Sequence, residues 1–182
     1  MKVTPLTLSG ALVIQLDLYG DARGFFVERF NEQEFQRLGL PTVFKQDNHS
    51  RSAPGVIRGL HYQYDPPQGK LVGVIHGQIL DVLVDLRRNS LTYGQYATVE
   101  LTDVNGQLVW IPPGFAHGFA VLGTDSADVL YKVDQPYNPK GEGGIHWADP
   151  NIAIQWPIAQ PIVSARDNLL PSFTTYHQNG VF

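Results

Sequence analysis

From Ala11 to Val133 the chain repeats one pattern: a short run of alternating or β-branched apolar residues, closed by Gly, Pro, Asn or Asp. Runs this short, with a period of two, suit strands and are too brief for the apolar stripe of a helix. The candidate strands are 11–18, 25–30, 43–49, 55–62, 70–75, 78–86, 98–101, 107–111, 118–122 and 129–133. Their near-regular spacing predicts an all-β sandwich or barrel. Asn105-Gly106 lies between two of them and reads as a two-residue hairpin turn. The 18 Gly and 13 Pro, set against only 16% charged residues, favour short strands and tight turns over helices.

One segment reads as a short helix. Asn31 is placed to cap it, Glu34 follows at the capping-box position, and Gly39-Leu40-Pro41 ends it. Beyond Tyr137 the chain turns rich in turn formers (Asn138-Pro139-Lys140-Gly141, Ala148-Asp149-Pro150), so an irregular tail packed on the β core is expected. The last stretch, 172–182, carries no readable motif. A length of 182 residues fits one domain over 1–182, large enough to bury its own core.

Several function classes drop out on composition. No cysteine is present, which removes disulfides, thiolate metal sites and cysteine nucleophiles. The formal net charge of −4 is not that of a basic nucleic-acid-binding face. No apolar run approaches the roughly 18 residues of a membrane span. The opening MKVTPLTLSG lacks the apolar stretch of a secretory leader, so a cytoplasmic protein is expected.

Two segments carry chemistry. Gly55-Val-Ile-Arg58-Gly-Leu-His61-Tyr-Gln63, followed by Gln68-Gly-Lys70, places an Arg and a His in an otherwise apolar strand. Buried, such groups must be paired or hydrogen-bonded. Pro112-Pro-Gly114-Phe-Ala-His117 delivers a second histidine, then Phe119 and Val121 on the same strand face. Arg58 and His61 are three apart, so an ideal strand sends them to opposite faces. Either Gly59 permits a bulge or Arg58 works from the rim.

Together these segments resemble the paired motifs of the cupin superfamily, a jelly-roll fold. Gly55 and His61 match the first motif, but Gln63 stands at its second His and Gln68 at its Glu. In the second motif His117 is kept and Val121 replaces Asn. Glutamine is a weak, neutral ligand for a divalent transition metal. The reading is therefore a cupin that has lost its metal site, with no metal and no cofactor expected.

A closer resemblance covers nearly the whole chain. Asp21-Ala-Arg23-Gly-Phe-Phe26, Gln46-Asp-Asn48-His-Ser-Arg51, the Gly55–Gln63 segment, Gln68-Gly-Lys70-Leu-Val, Asp81-Val-Leu-Val-Asp85-Leu-Arg87, Trp110-Ile-Pro-Pro-Gly-Phe-Ala-His117, Tyr131-Lys132, Gly143-Gly-Ile-His-Trp-Ala-Asp149-Pro and Ser164-Ala-Arg166-Asp167 resemble, in order and spacing, the dTDP-4-dehydrorhamnose 3,5-epimerase family. That resemblance implies metal-free epimerisation at C3 and C5 of dTDP-4-dehydro-6-deoxy-D-glucose through an enolate. It implies His61 as base, Asp167 as its partner, Lys70 facing the developing oxyanion and Tyr131 as the acid on the opposite face. Arg23, Phe26, Glu28, Gln46, Asn48, Arg58, His117, Glu142 and Arg166 match substrate-contact positions, and Tyr137 the thymine-stacking aromatic. The family usually has Arg where Gly73 stands, which predicts weaker anion contact at the mouth, while Arg166 keeps the charge of a frequent Lys. A homodimer is implied, with N-terminal strands reaching into the partner and Arg23 and Glu28 serving its site. The alternatives are a single-site 3- or 5-epimerase of a related sugar, a metal-dependent cupin, or a non-catalytic nucleotide-sugar-binding cupin.

Overall fold

The computed structural model describes residues 1–182. Its strands run β1 Lys2–Pro5, β2 Leu12–Gln15, β3 Leu18–Asp21, β4 Gly24–Val27, β5 Gln46–Ser52, β6 Val56–Gln63, β7 Lys70–His76, β8 Gln78–Asp85, β9 Tyr96–Thr102, β10 Gln107–Ile111, β11 Phe115–Val121, β12 Ala127–Val133, β13 Glu142–Gly144 and β14 Ile162–Val163. The helices are α1 Glu32–Arg37, α2 Ala165–Asn168 and α3 Phe173–Asn179. One sheet has the order β1-β2-β10-β7-β12-β5 and the other β13-β6-β11-β8-β9, with β14 parallel to β6. The two form a sandwich, as the strand pattern predicts, of the jelly-roll kind that the cupin resemblance implies.

Alternation along the strands divides the apolar residues into three layers. Ile79 and Leu83 of β8, Val72 and Val74 of β7, and Phe115 and Phe119 of β11 meet between the sheets. On the other face of β8 and β6, Val82, Val84, Leu60 and Tyr62 meet Ile145, Ile152 and Tyr176 of the tail. Leu71, Leu108 and Trp110 on the outside of the first sheet are covered by Phe35 of α1. Full burial of a side chain like Phe35 contributes about 1.5–3 kcal/mol. Asn31 caps α1 as its sequence suggests, accepting from the Gln33 and Glu34 N–H groups.

Two expectations need correction. The 11–18 run is not one strand but β2 and β3, separated at Leu16-Asp17. β9 and β10 do not form a hairpin: β9 pairs with β8 and β10 with β2 and β7, so Asn105-Gly106 carries the chain from one sheet to the other. A tight local turn does not dictate which neighbour completes a strand's hydrogen bonds. The tail is largely irregular, as its composition suggests, with a few short elements set in it. It contributes β13 and β14 to the edge of β6 and two short helices, each capped by a serine, Ser164 for α2 and Ser172 for α3.

Candidate active site

The register between β6 and β11 shapes the site. His61 lies opposite His117, whereas Arg58 lies opposite Phe119, so β6 spends one more residue than β11 over that stretch. The result is a β-bulge that turns Arg58 and His61 to the same side. Gly59 makes it possible. It has φ of +120°, and a Cβ there would sit 2.6 Å from the Gly118 Cα. Two glycines facing each other allow the backbones this close approach.

Inside the sandwich the strands enclose a cavity of about 710 Å³, within the size range of small-molecule sites. It is lined by Arg58, His61, Lys70, His117, Tyr131, Tyr137, Glu142, Arg166 and Asp167 among others. Nine residues singled out from sequence thus converge on one space. Gln46 lies beside it, its side-chain oxygen accepting from the Tyr137 N–H at 2.8 Å while its amide reaches Asn48 at 2.8 Å. Arg23, Phe26 and Glu28 do not reach the cavity of their own chain. They lie on or just after the β3–β4 hairpin and line separate shallow clefts.

Asp167 sits in the one-turn helix α2, its N–H bonded to the Ser164 hydroxyl at 3.0 Å. Its side chain is buried. One carboxylate oxygen is 2.8 Å from His61 Nε2, and the other accepts from the Gly59 N–H at 3.1 Å. A carboxylate only accepts, so His61 Nε2 carries the proton and the lone pair is left on Nδ1. Burial pushes His61 below its ordinary value; Asp167 opposes this without overcoming it, and the Lys70 charge adds to the downward push. The histidine is thereby kept neutral and able to accept a proton.

Lys70 opens β7, with its Nζ donating to the His61 carbonyl oxygen at 3.3 Å. Burial brings it down to about 8, against the opposing negative charges of Glu142 and Asp81. Burial raises the Tyr131 phenol, with Arg58 opposing. At the mouth, Glu142 accepts from the Tyr137 hydroxyl at 2.8 Å and from Arg166 at 2.6 Å. Arg58 is braced by the Ser52 hydroxyl at 2.8 Å.

The two glutamines at metal-ligand positions have other work. Gln63 is buried, donates to the Pro66 and Pro136 carbonyls at 3.0 and 3.1 Å, and accepts from the Asn138 N–H at 2.8 Å. Gln68 donates to the Gln135 carbonyl at 2.7 Å. Both fasten the segment that carries Tyr137 to the barrel. No group of three or more His, Cys, Asp or Glu in the fold is arranged to hold a metal ion.

Gly73 was expected to weaken anion contact at the mouth, and the structure corrects this. Gly73 faces the outside of its sheet, where a Cβ would meet Leu108 and the Arg29 guanidinium. It does not line the cavity. Sequence reasoning gave no role to Ser50, Ser164 or the Ile162-Val163 strand, which also line the wall. It gave no role to Asp81, although a lone carboxylate within Ile79-Leu-Asp81-Val-Leu83 is a visible signal. Asp81 is fully buried and bonds His117 Nε2 at 2.6 Å.

Comparison with known proteins bears on the same residues. A family model described as dTDP-4-dehydrorhamnose 3,5-epimerase matches residues 5–175. A dTDP-4-dehydrorhamnose 3,5-epimerase of Methanothermobacter thermautotrophicus is 50% identical over 164 residues, 88% of each chain. Among solved structures, a dTDP-6-deoxy-D-glucose-3,5-epimerase from Legionella pneumophila Philadelphia 1, in complex with dTDP-4-keto-L-rhamnose, superposes with a TM-score of 0.91 at 43% identity, covering 95% of this chain and 93% of that one. A 3'-monoepimerase from Streptomyces bikiniensis, in complex with dTDP-quinovose, gives a TM-score of 0.91 at 31% identity over 98% and 91% of the two chains.

Proposed function

The chain belongs to the dTDP-4-dehydrorhamnose 3,5-epimerase family, and on that premise we propose that its cavity inverts C3 and C5 of dTDP-4-dehydro-6-deoxy-D-glucose, giving dTDP-4-dehydro-L-rhamnose for rhamnose biosynthesis. The observation that carries the reading is the joint lining of one cavity by the His61–Asp167 pair, Lys70 and Tyr131.

Both carbons flank the C4 ketone, so their protons are weakly acidic. His61 Nδ1 takes the proton, and the C–H electron pair becomes the carbon–carbon double bond of an enolate whose charge rests on O4. Asp167 stabilises the imidazolium that forms. The Lys70 ammonium faces O4, where it favours the enolate over the neutral ketone and so lowers the barrier. Tyr131 returns a proton to the opposite face of the same carbon, which inverts it. The imidazolium and the tyrosinate are then reset by exchange with solvent. Arg58 and Arg166 suit the diphosphate, since a guanidinium bonds two oxygens at once. Tyr137 offers a flat face to the thymine, with His117, Glu142, Gln46 and Asn48 as further polar contacts.

The reading extends to assembly. The β3–β4 hairpin exposes Tyr19, Phe25 and Phe26, each more than half accessible at 65%, 55% and 68%. Burying these rings against a second copy would form a homodimer, and Arg23, Phe26 and Glu28 would then serve the partner's cavity. Residues 1–182 act as one epimerase domain in the cytoplasm. No helix is long and apolar enough to cross a membrane.

The likeness to a 3'-monoepimerase supports a second reading, inversion at C3 alone. Proton NMR in D2O on chelator-treated protein with dTDP-4-dehydro-6-deoxy-D-glucose separates them. Deuterium at both C3 and C5 is expected. Deuterium at one carbon selects the monoepimerase, and none at either, with dTDP still bound, selects a binding protein.

A further inference from the structure

The β3–β4 hairpin has no strand partner in either main sheet. A two-stranded hairpin by itself is only marginally stable in water, so its fastenings decide where it points. From Leu18 to Phe30 a single hydrogen bond joins the segment to the sandwich: Arg29 Nη1 donates to the Val74 carbonyl at 3.1 Å. Val74 lies where the ladder is already interrupted. The pairing of β10 with β7 ends at Gly73, and the register of β7 against β12 shifts between Val74 and His76.

Both feet of the hairpin rest on glycines. At one foot the Arg29 guanidinium lies over Gly73, where a Cβ would sit 2.5 Å from Nη2. At the other, Leu18 lies over Gly106, where a Cβ would strike its Cδ1. A glycine inside an interior strand such as β7 gives up side-chain packing, and it suits a place where another group approaches closely. Gly73 is thus a socket and Arg29 the pin that fills it. Directly after the pin, the Phe30 ring packs edge-on against Phe35 and Phe44, with centroids 4.9 and 5.6 Å away. The hairpin leaves the barrel from a fixed point, and it carries Arg23, Phe26 and Glu28 away from the cavity of its own chain.

We propose that Arg29, seated on Gly73, is a positioning residue that aims the hairpin at the cavity of a second copy of this chain. It touches no substrate and acts only through the hairpin it holds. The role rests on the dimer reading above, in which Arg23, Phe26 and Glu28 serve the partner's cavity. It has a one-sided consequence: the Arg29 of one chain matters to the partner's site and not to its own.

Mixed dimers test this. A His61→Asn chain and an Arg23→Ala chain, co-expressed with different tags and purified through both, form dimers with one complete site: the cavity of the Arg23→Ala chain and the hairpin of the His61→Asn chain. Turnover per dimer is expected at about half that of wild type. Adding Arg29→Met to the His61→Asn chain should lower this turnover by about tenfold or more, whereas adding it to the Arg23→Ala chain should leave it within about twofold. Equal loss on both sides, or loss on neither, overturns the proposal while the dimer reading stands. Failure to recover a doubly tagged dimer, or a mixed dimer no more active than either variant alone, defeats the dimer reading and the proposal with it. Absent wild-type turnover defeats the epimerase reading and both with it. If Arg29→Met does not fold, Gly73→Ala keeps the arginine but blocks its seat. The same one-sided loss is expected, and a symmetrical effect overturns the proposal.

Discussion

His61 Nε2 and Asp167 Oδ1 are 2.8 Å apart although 106 positions separate the two residues in the chain. A one-turn helix capped by Ser164 brings the carboxylate back to the strand that carries the histidine, where it also binds the Gly59 N–H in the bulge. One carboxylate therefore holds both the ring and the backbone that presents it. Asp167→Asn keeps the size but loses the charge that stabilises an imidazolium. It is expected to lower kcat by about 10²–10⁴-fold, the usual worth of general acid–base assistance. KM should change far less, and steady-state kinetics on the purified variant checks both.

The pH profile follows from two groups of opposite requirement. In the proposed mechanism His61 must be neutral to act as a base and Lys70 charged; burial holds His61 below its ordinary value, so activity is expected to persist as the pH falls through about 6.5 and to decline only below it. Burial brings Lys70 down to about 8, so on that mechanism activity is expected to decline as pH rises through that point. A bell-shaped kcat/KM curve with its alkaline limb near 8 is expected. Lys70→Arg, which stays charged, should remove the alkaline limb even if overall turnover is lower.

Gln63 ties the Tyr137 segment to the barrel through three hydrogen bonds. Gln63→Ala should loosen the nucleotide end while leaving His61, Lys70 and Tyr131 in place. The expected outcome is a KM raised about tenfold or more, consistent with a loss of about 1.4 kcal/mol or more, with kcat nearly unchanged. Metal-site reasoning alone would assign this position no such effect.

Away from the cavity, Asp85 gathers the 87–92 loop. It accepts from Arg87 at 2.7 and 2.9 Å, from Thr92 at 2.7 Å and from the Ser90 hydroxyl. Burial raises its pKa but these bonds lower it more, to about 2. A depressed carboxylate contributes stability that is fully present above its unfolded value near 3.8 and is lost as pH falls toward about 2. Asp85→Ala should cost about 1–3 kcal/mol at neutral pH, as expected for losing hydrogen bonds from the partly exposed Arg87 and from Ser90 and Thr92. Urea midpoints at neutral pH and near pH 3 test this, the difference from wild type narrowing in acid.

The parts of this site that could be read along the chain are those fixed by local chemistry. His61, Lys70 and His117 stand out because polar groups interrupt apolar strands, and Asn31 announces α1 by its capping pattern. The bulge that unites Arg58 with His61 was visible only as a steric puzzle at Gly59. It depends on Gly118 lying opposite, a register set by tertiary pairing. The Asn105-Gly106 turn misled because its two flanking strands complete their hydrogen bonds in different sheets. Asp167 and Tyr131 look like ordinary turn and core residues in isolation, and only the family resemblance singled them out. The 172–182 stretch carried no motif because its information is in packing. Tyr176 and Phe182 close over Tyr62, the residue that follows His61.

The central claim is that His61 removes the substrate's proton. The most direct test compares deuterium uptake from D2O into dTDP-4-dehydro-6-deoxy-D-glucose by wild type and His61→Asn, read by mass spectrometry, alongside dTDP affinity by calorimetry. Uptake by the variant should fall by about 10²-fold or more while dTDP affinity stays within about threefold of wild type. Uptake at near wild-type rate in a variant that binds dTDP normally would contradict the account and place the base elsewhere.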